Sequence, residues 1–279
     1  MRFIFSSVIV LLVFLYSCNL DQEIDIELPD YENHFVVECY LSPGENYRLL
    51  LSRSSAYFDP FSSEQSFFED LLVSGARVYI HEKNRIVRLF NQMEFDLVSR
   101  KVFNYTSDRE VPLDYEQDFR LEIITSEGDT LFATTRILPA VPIDSVVTEF
   151  SETTSLARVL TYFTDIPDTP NYYRRMLHEN KMDTLPSQDF TVDDRFVEDV
   201  FVFGTGYDYV VGDTVFNTIF HIDEAYYNFL ETFTLAVGAN GNPFGQPSPV
   251  ATNLSGTAKV IGIFTGLTFD RERVIIKPK

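Results

Sequence analysis

Phe35-Val36-Val37-Glu38-Cys39-Tyr40-Leu41, the turn Pro43-Gly44-Glu45-Asn46 and the run Tyr47-Arg48-Leu49-Leu50-Leu51-Ser52 carry the reading of the fold. In the first run Phe35, Val37, Cys39 and Leu41 fall on alternate positions. Side chains of a strand point to opposite faces with a period of two, so these four share one apolar face. A turn tetrad between two such runs makes residues 35–52 a β-hairpin. Cys39 lies on the apolar face, which places it in a core as a small hydrophobe.

The same period continues outward from this hairpin. Ala76, Val78 and Ile80 share a face in residues 76–81, and residues 118–125 and 130–136 flank Ser126-Glu127-Gly128-Asp129, a second hairpin signal. Turn signals roughly every ten residues point to an Ig-like β-sandwich and away from βαβ units. Residues 57–68, rich in Phe, Ser and acid, interrupt the pattern as a long loop. Pro139-Ala140-Val141-Pro142 marks an internal boundary, because proline cannot donate to a ladder. Beyond it, residues 143–150, 158–164, 172–177, 214–220, 260–264 and 273–276 again read as strands.

One segment changes period. Ile222, Ala225, Tyr226, Phe229, Leu230 and Phe233 follow i, i+3, i+4, i+7, i+8, i+11, the stripe of an amphipathic helix. Asp223 is its expected N-cap and Gly238 lies near its stop, giving a helix at about 223–237. An aromatic stripe at this spacing reads as core packing. Residues 239–249, rich in Asn, Gly and Pro, read as a loop. The expected fold class is therefore mainly β: a β-sandwich unit over 34–140, and a second β-rich unit over 141–279 that packs against it and holds the helix.

The amino terminus reads as an address. Met1-Arg2 precedes a run of 14 residues, Phe3 to Tyr16, broken only by Ser6 and Ser7. Such a run is too short to span about 30 Å of hydrocarbon and suits the apolar region of a signal peptide. Leu15-Tyr16-Ser17-Cys18 resembles a bacterial lipobox, although Tyr16 is bulkier than usual. That resemblance implies a signal peptide over 1–17 and lipid attachment at Cys18, with a diacylglycerol on the thiol and an acyl chain such as palmitate on the amine. The chain has 2 cysteines, and with Cys39 in a core Cys18 is left without a sensible disulfide partner. An ordinary secretory signal with an incidental Cys18 is the alternative. Residues 18–33 form an acidic tether, and Asp21, Glu23, Asp25 and Glu27 resemble the surface-export signal of Bacteroidota lipoproteins.

Composition narrows the partners. Asp and Glu number 42 against 22 Lys and Arg, a net charge of −20, which opposes nucleic-acid binding because that binding runs on cations neutralising phosphates. The 26 Phe and 15 Tyr oppose intrinsic disorder, while the absence of Trp opposes a typical sugar-stacking platform.

Motifs for chemistry are sparse. His34, His81, His178 and His221 show no metal-ligand spacing, and Gly204-Thr205-Gly206 lacks the third glycine and the βαβ setting of a dinucleotide site. No catalytic residue is assigned, and the chain reads as a non-enzyme. Asp193, Asp194, Glu198 and Asp199 form an acidic run whose hard oxygens suit Ca²⁺, a weak candidate because Arg195 lies inside it and the spacing is not that of an EF-hand. Asp165 and Asp168 lie in a Pro-rich turn, and a glycosidase pair would need two carboxylates about 5–10 Å apart. Asp129-Thr130-Leu131, Asp144-Ser145-Val146, Asp183-Thr184-Leu185 and Asp213-Thr214-Val215 resemble the Bacteroidota O-glycosylation sequon.

Asn242-Pro243-Phe244-Gly245-Gln246-Pro247 leads to Thr252-Asn253-Leu254 and Gly262-Ile263-Phe264; upstream stand Gly212-Asp213-Thr214-Val215, Ile222-Asp223 and Tyr226-Tyr227-Asn228-Phe229. Gly75-Ala76-Arg77-Val78, Leu138-Pro139 and Ile143-Asp144-Ser145-Val146 precede them. In this order the set resembles the Bacteroidota outer-membrane lipoprotein family known as domain of unknown function 4249, with fewer glycines near the closing strands than the family often has. The resemblance implies a lipid anchor in the outer membrane and a neighbouring TonB-dependent receptor, and it transfers no catalytic residues. The expectation is a surface-exposed, non-enzymatic accessory or ligand-binding component of a TonB-dependent transport system. A structural or adhesive module of the cell envelope is the alternative.

Overall fold

The computed structural model describes residues 32–55, 71–195, 199–239 and 249–279. The expected signal peptide 1–17, Cys18 with the tether to residue 31, the loop 57–68, Glu198 and residues 240–248 lie outside the described residues. Seven strands come first: β1 (Phe35–Leu41), β2 (Asn46–Arg53), β3 (Arg77–His81), β4 (Ile86–Asp96), β5 (Lys101–Glu110), β6 (Phe119–Ile124) and β7 (Thr130–Thr135). They are followed by β8 (Ser145–Phe150), β9 (Ala157–Thr164), β10 (Tyr172–Glu179), β11 (Gln188–Asp193), β12 (Val200–Gly204) and β13 (Thr214–Ile222). Helix α1 (Glu224–Ala239), β14 (Ser255–Gly256), β15 (Val260–Gly266) and β16 (Thr268–Ile275) complete the described chain, which is mainly β.

The hairpin of β1 and β2 forms as its alternation requires. Val37, Cys39 and Leu41 are fully buried, Glu38 and Tyr40 point the other way, and the turn closes with Glu45 N–H donating to Ser42 O at 3.0 Å. Nine strands make one sheet in the order β14-β7-β6-β3-β4-β5-β2-β1-β15. The long β4 serves two neighbours: Ile86–Leu89 pair with β3, and from Phe90 onward it pairs with β5, with a register shift between Asn91 and Glu94. A bulge of this kind bends a strand and raises its twist, so both halves of the sheet turn their apolar faces to a common core. Leu49, Ile80, Leu121, Leu131 and Phe264 meet in that core. Asn104 of β5 locks it on one side, donating to Leu51 O and Val73 O at 2.9 and 3.1 Å and accepting from Leu51 N–H at 2.8 Å.

Chain order alone does not supply this sheet. β1 pairs in parallel with β15, Phe35 against Val260 through Leu41 against Gly266, and β14 adds to β7. Residues far beyond the Pro139–Pro142 connector thus complete the sheet begun by residues 35–53, and Asn33–Lys279 form one compact unit.

The remaining strands form a four-stranded sheet, β11-β10-β13-β16, and a three-stranded sheet, β12-β9-β8. Two apolar clusters draw on both sheets. One gathers Ile143, Phe163, Tyr173, Phe201 and Ile219, the other Ala157, Val159, Leu177, Tyr209 and Val215, so the sheets lie face to face as a second sandwich.

Helix α1 begins where the cap residue predicts. Asp223 Oδ1 accepts from Tyr226 N–H at 2.7 Å, and its Oδ2 accepts from the hydroxyls of Thr135 and Thr265 at 3.0 and 3.3 Å. Tyr226 and Phe229 are buried against Phe220, Ile222 and Ile263, but Phe233, placed by its spacing on the same stripe, is 49% exposed. The stripe rotates away from the sheet in the last turns, so the core reading of Phe233 does not hold. Asp223→Ala is expected to remove about 1–2 kcal/mol of stability, and Asp223→Asn less, as read by urea denaturation. Burial raises the Asp223 carboxyl pKa despite these bonds. The shift therefore contributes stability that is full below the unfolded carboxyl value of about 3.9 and is lost as pH rises through the folded one, whereas the cap hydrogen bonds accepted by its oxygens are retained at neutral pH. Asp223→Asn should abolish that part of the pH dependence.

Candidate functional site

The interior of the second sandwich holds a charge. Along β10 the residues Tyr173, Arg175 and Leu177 point into the sandwich, and all three are 0% exposed. Neighbouring Arg174 points out and is fully engaged. Its Nε and Nη2 donate to Asp189 at 2.7 and 2.6 Å, and its Nη1 donates to the hydroxyl of Tyr226 at 2.7 Å. Adjacent arginines on one strand therefore meet opposite environments because the strand alternates.

Arg175 has few partners. Its Nη2 donates to Asn217 Oδ1 at 3.3 Å, and the same oxygen accepts from Thr161 Oγ1 at 2.8 Å. The Phe203 ring lies against the guanidinium, 5.4 Å from its carbon to the ring centroid. Among the described residues Arg175 forms no salt bridge, and its Nε and Nη1 and the buried Asn217 Nδ2 have no hydrogen-bond partner. Burial pulls the guanidinium pKa down to about 10, which still leaves it charged at neutral pH. Thr161, Arg175 and Asn217 thus form one contiguous polar group with three nitrogens free to donate. It can receive an acceptor, but it presents no nucleophile and no acid–base pair. Among the described residues the other buried side-chain polar atoms without a partner are Gln188 Oε1, on β11 opposite Leu177, and His178 Nδ1, on the outer face of β10.

Aromatic rings lie beside this group. Phe190 stands directly across from Arg175 in the β10–β11 register and is 41% exposed. Its ring meets Phe203 edge-on, with centroids 5.4 Å apart, and Phe203 in turn packs against Phe163 and Phe201. A separate surface cleft of ≈ 470 Å³ lies between β8 and the carboxy-terminal residues, lined in part by Thr148, Phe150, Arg273 and Lys277.

The residues singled out by sequence are placed apart. Cys39 is buried and unpaired, and burial raises its thiol pKa far above the ordinary value. Asp193 pairs with Arg195 at 2.6 Å and accepts from the Tyr227 hydroxyl at 3.1 Å; the hydrogen bond from Arg195 holds its carboxyl below the usual range. Asp194 Oδ2 accepts from Asn171 N–H at 2.7 Å, and Asp199 lends its backbone carbonyl to Asp165 N–H at 2.8 Å. Among the described residues no three His, Cys, Asp or Glu side chains form a group able to hold a metal ion. Asp165 Oδ1 accepts from the buried Tyr173 hydroxyl at 2.5 Å, and Asp168 occupies a left-handed turn position with φ 70°. His81 bonds to Glu122 at 2.6 Å and His221 Nδ1 to Pro139 O at 2.7 Å, on different sheets. Of the sequon-like hydroxyl residues, Ser145 and Thr184 are exposed and Thr130 and Thr214 half-buried.

Sequence reasoning delimited residues 172–177 as a strand without asking which face each arginine takes. The signal was present, since Tyr173, Arg175 and Leu177 alternate and a charge on an otherwise apolar face is an exception to be explained.

No curated protein matches this chain. The family described as Domain of unknown function (DUF4249) matches residues 21–273, a span from the acidic tether through the first sheet, the second sandwich, α1 and most of β16. The chain belongs to that family.

Proposed function

We propose that the protein is a surface-exposed outer-membrane lipoprotein of Bacteroidota type, acting without catalysis as an accessory or ligand-binding component of a TonB-dependent transport system. The observation that carries the reading is Leu15-Tyr16-Ser17-Cys18 at the end of the apolar run, with the acidic tether directly behind it. The burial of Cys39 supports it, because a thiol locked in the core cannot pair with Cys18. No helix among the described residues is long and apolar enough to cross a membrane, so attachment in this reading falls to the lipid. Cells fed an alkyne-tagged fatty acid are expected to label the wild-type chain and not Cys18→Ala, which should leave the membrane fraction. An unlabelled wild-type chain rejects the anchor. For the transport role, the solubilised protein should co-purify with a receptor; none recovered, with growth on every substrate unchanged in a deletion strain, rejects it.

One observation favours the second reading, a structural or adhesive module. The β4–β5 hairpin carries Phe95, Leu97 and Val98 at 55%, 71% and 53% exposure, an apolar tip suited to contact with another surface protein. Normal uptake with altered attachment after deletion would select this reading over the first.

A further inference from the structure

We propose that Arg175 and Asn217, with Thr161 holding the asparagine in place, bind a small monovalent anion inside the second sandwich, a site independent of how the chain is anchored. A guanidinium taken out of water needs either a counter-charge or a full set of acceptors, because an uncompensated charge in the interior is strongly unfavourable. Arg175 has neither: one of its three nitrogens has an acceptor, at 3.3 Å, and no carboxylate pairs with it among the described residues. Removing the charge by deprotonation is not open to an arginine at neutral pH.

The polarity of the free atoms fixes the sign of the ligand. Arg175 Nε and Nη1 and Asn217 Nδ2 are all donors, and the amide oxygen beside them, Asn217 Oδ1, is already taken twice. The amide cannot be turned over to serve Arg175 better, because its NH₂ would then face the guanidinium, which has only donors to offer. A cation is repelled by this set and an acceptor with negative charge completes it. Full burial beneath Phe203 limits the size, so the ion is a halide or the carboxylate of a very small acid, and a divalent tetrahedral ion is too large and too strongly hydrated. Phe190, half in solvent and edge-on to Phe203, marks the side on which the ion enters.

The test uses the purified full-length chain with chloride, formate and sulfate at constant ionic strength. On the wild-type protein, ³⁵Cl NMR should show excess line broadening that formate displaces and sulfate does not. Thermal unfolding should rise by roughly 3–5 °C for each tenfold increase of the bound anion above its dissociation constant. Arg175→Met, which keeps the volume and removes the charge, should lose both responses. If Arg175→Met does not fold, the wild-type titrations decide alone. No displaceable chloride broadening together with no chloride- or formate-dependent rise in unfolding temperature overturns the proposal, as does an unfolding temperature with the same anion dependence in wild type and Arg175→Met. A formate-dependent rise without chloride broadening assigns the site to a carboxylate and not to a halide.

Discussion

Gly262→Ala is expected to lower the unfolding temperature by about 5–20 °C or to leave the protein insoluble. Gly262 sits in the middle of β15 opposite Val37 of β1, with φ 121°, a conformation that L side chains rarely adopt. A Cβ built there overlaps the carbonyl oxygen of Val37 and crowds its carbonyl carbon and nitrogen. These are backbone atoms in the centre of a sheet, so no side-chain rotation relieves the overlap. Strain at a disallowed backbone angle costs about 1–3 kcal/mol and overpacking a similar amount, giving about 2–6 kcal/mol together. That is a large share of the roughly 5–15 kcal/mol that holds a folded domain together, and each kcal/mol moves the transition by about 2–4 °C at this size. Gly212→Ala is the control, since Gly212 also has positive φ, 102°, but an added Cβ there meets nothing within 4 Å. Equal losses in the two variants would mean that the β1–β15 contact does not limit stability.

Phe163→Ala is expected to cost about 3–5 kcal/mol, and Phe163→Leu about 1–1.5 kcal/mol. Phe163 is 0% exposed and is the centre of an aromatic group. Its ring stacks on Phe201 at 4.8 Å with planes 1° apart and meets Tyr173 edge-on at 4.9 Å. Truncation to alanine removes three ring contacts and leaves a cavity that the rigid strands on either side cannot close. Because Asn33–Lys279 form one compact unit, urea unfolding followed by circular dichroism should show one transition, displaced to lower urea with an unchanged slope. Two transitions, only one of them moved, would show that the two sheet systems unfold separately.

How far the sequence could be read depended on the range of each interaction. The β1–β2 hairpin, the β6–β7 hairpin around Gly128 and the cap of α1 at Asp223 all rest on residues close in the chain, and each lies where the pattern puts it. The parallel pairing of β1 with β15 was not legible, because alternation tells which face a residue takes and not which strand lies beside it. The split duty of β4 was hidden for a related reason: its outer stretch, with Met93 and Phe95 in solvent, does not alternate cleanly. At the site level the motifs sought were nucleophiles, metal ligands and paired carboxylates, and the structure engages the candidates Asp193, Asp194 and Asp165 with an arginine, a backbone amide and a tyrosine hydroxyl. Arg175 belongs to no motif. Its alternation with Tyr173 and Leu177 was legible, but its want of partners shows only when the face of β10 is matched to the sheet packed against it.

The β1–β15 ladder also has a consequence for the order of assembly. Phe35 cannot meet Val260 until nearly the whole chain has been made, so the first strand to appear waits longest for one of its two neighbours. Contacts so distant in sequence raise contact order and slow folding. During synthesis or export the flank of β1 stays open as a template for foreign strands, and a chain cut short before Val260 keeps it open for good. Truncations that remove β15 should therefore aggregate rather than accumulate as a folded amino-terminal half.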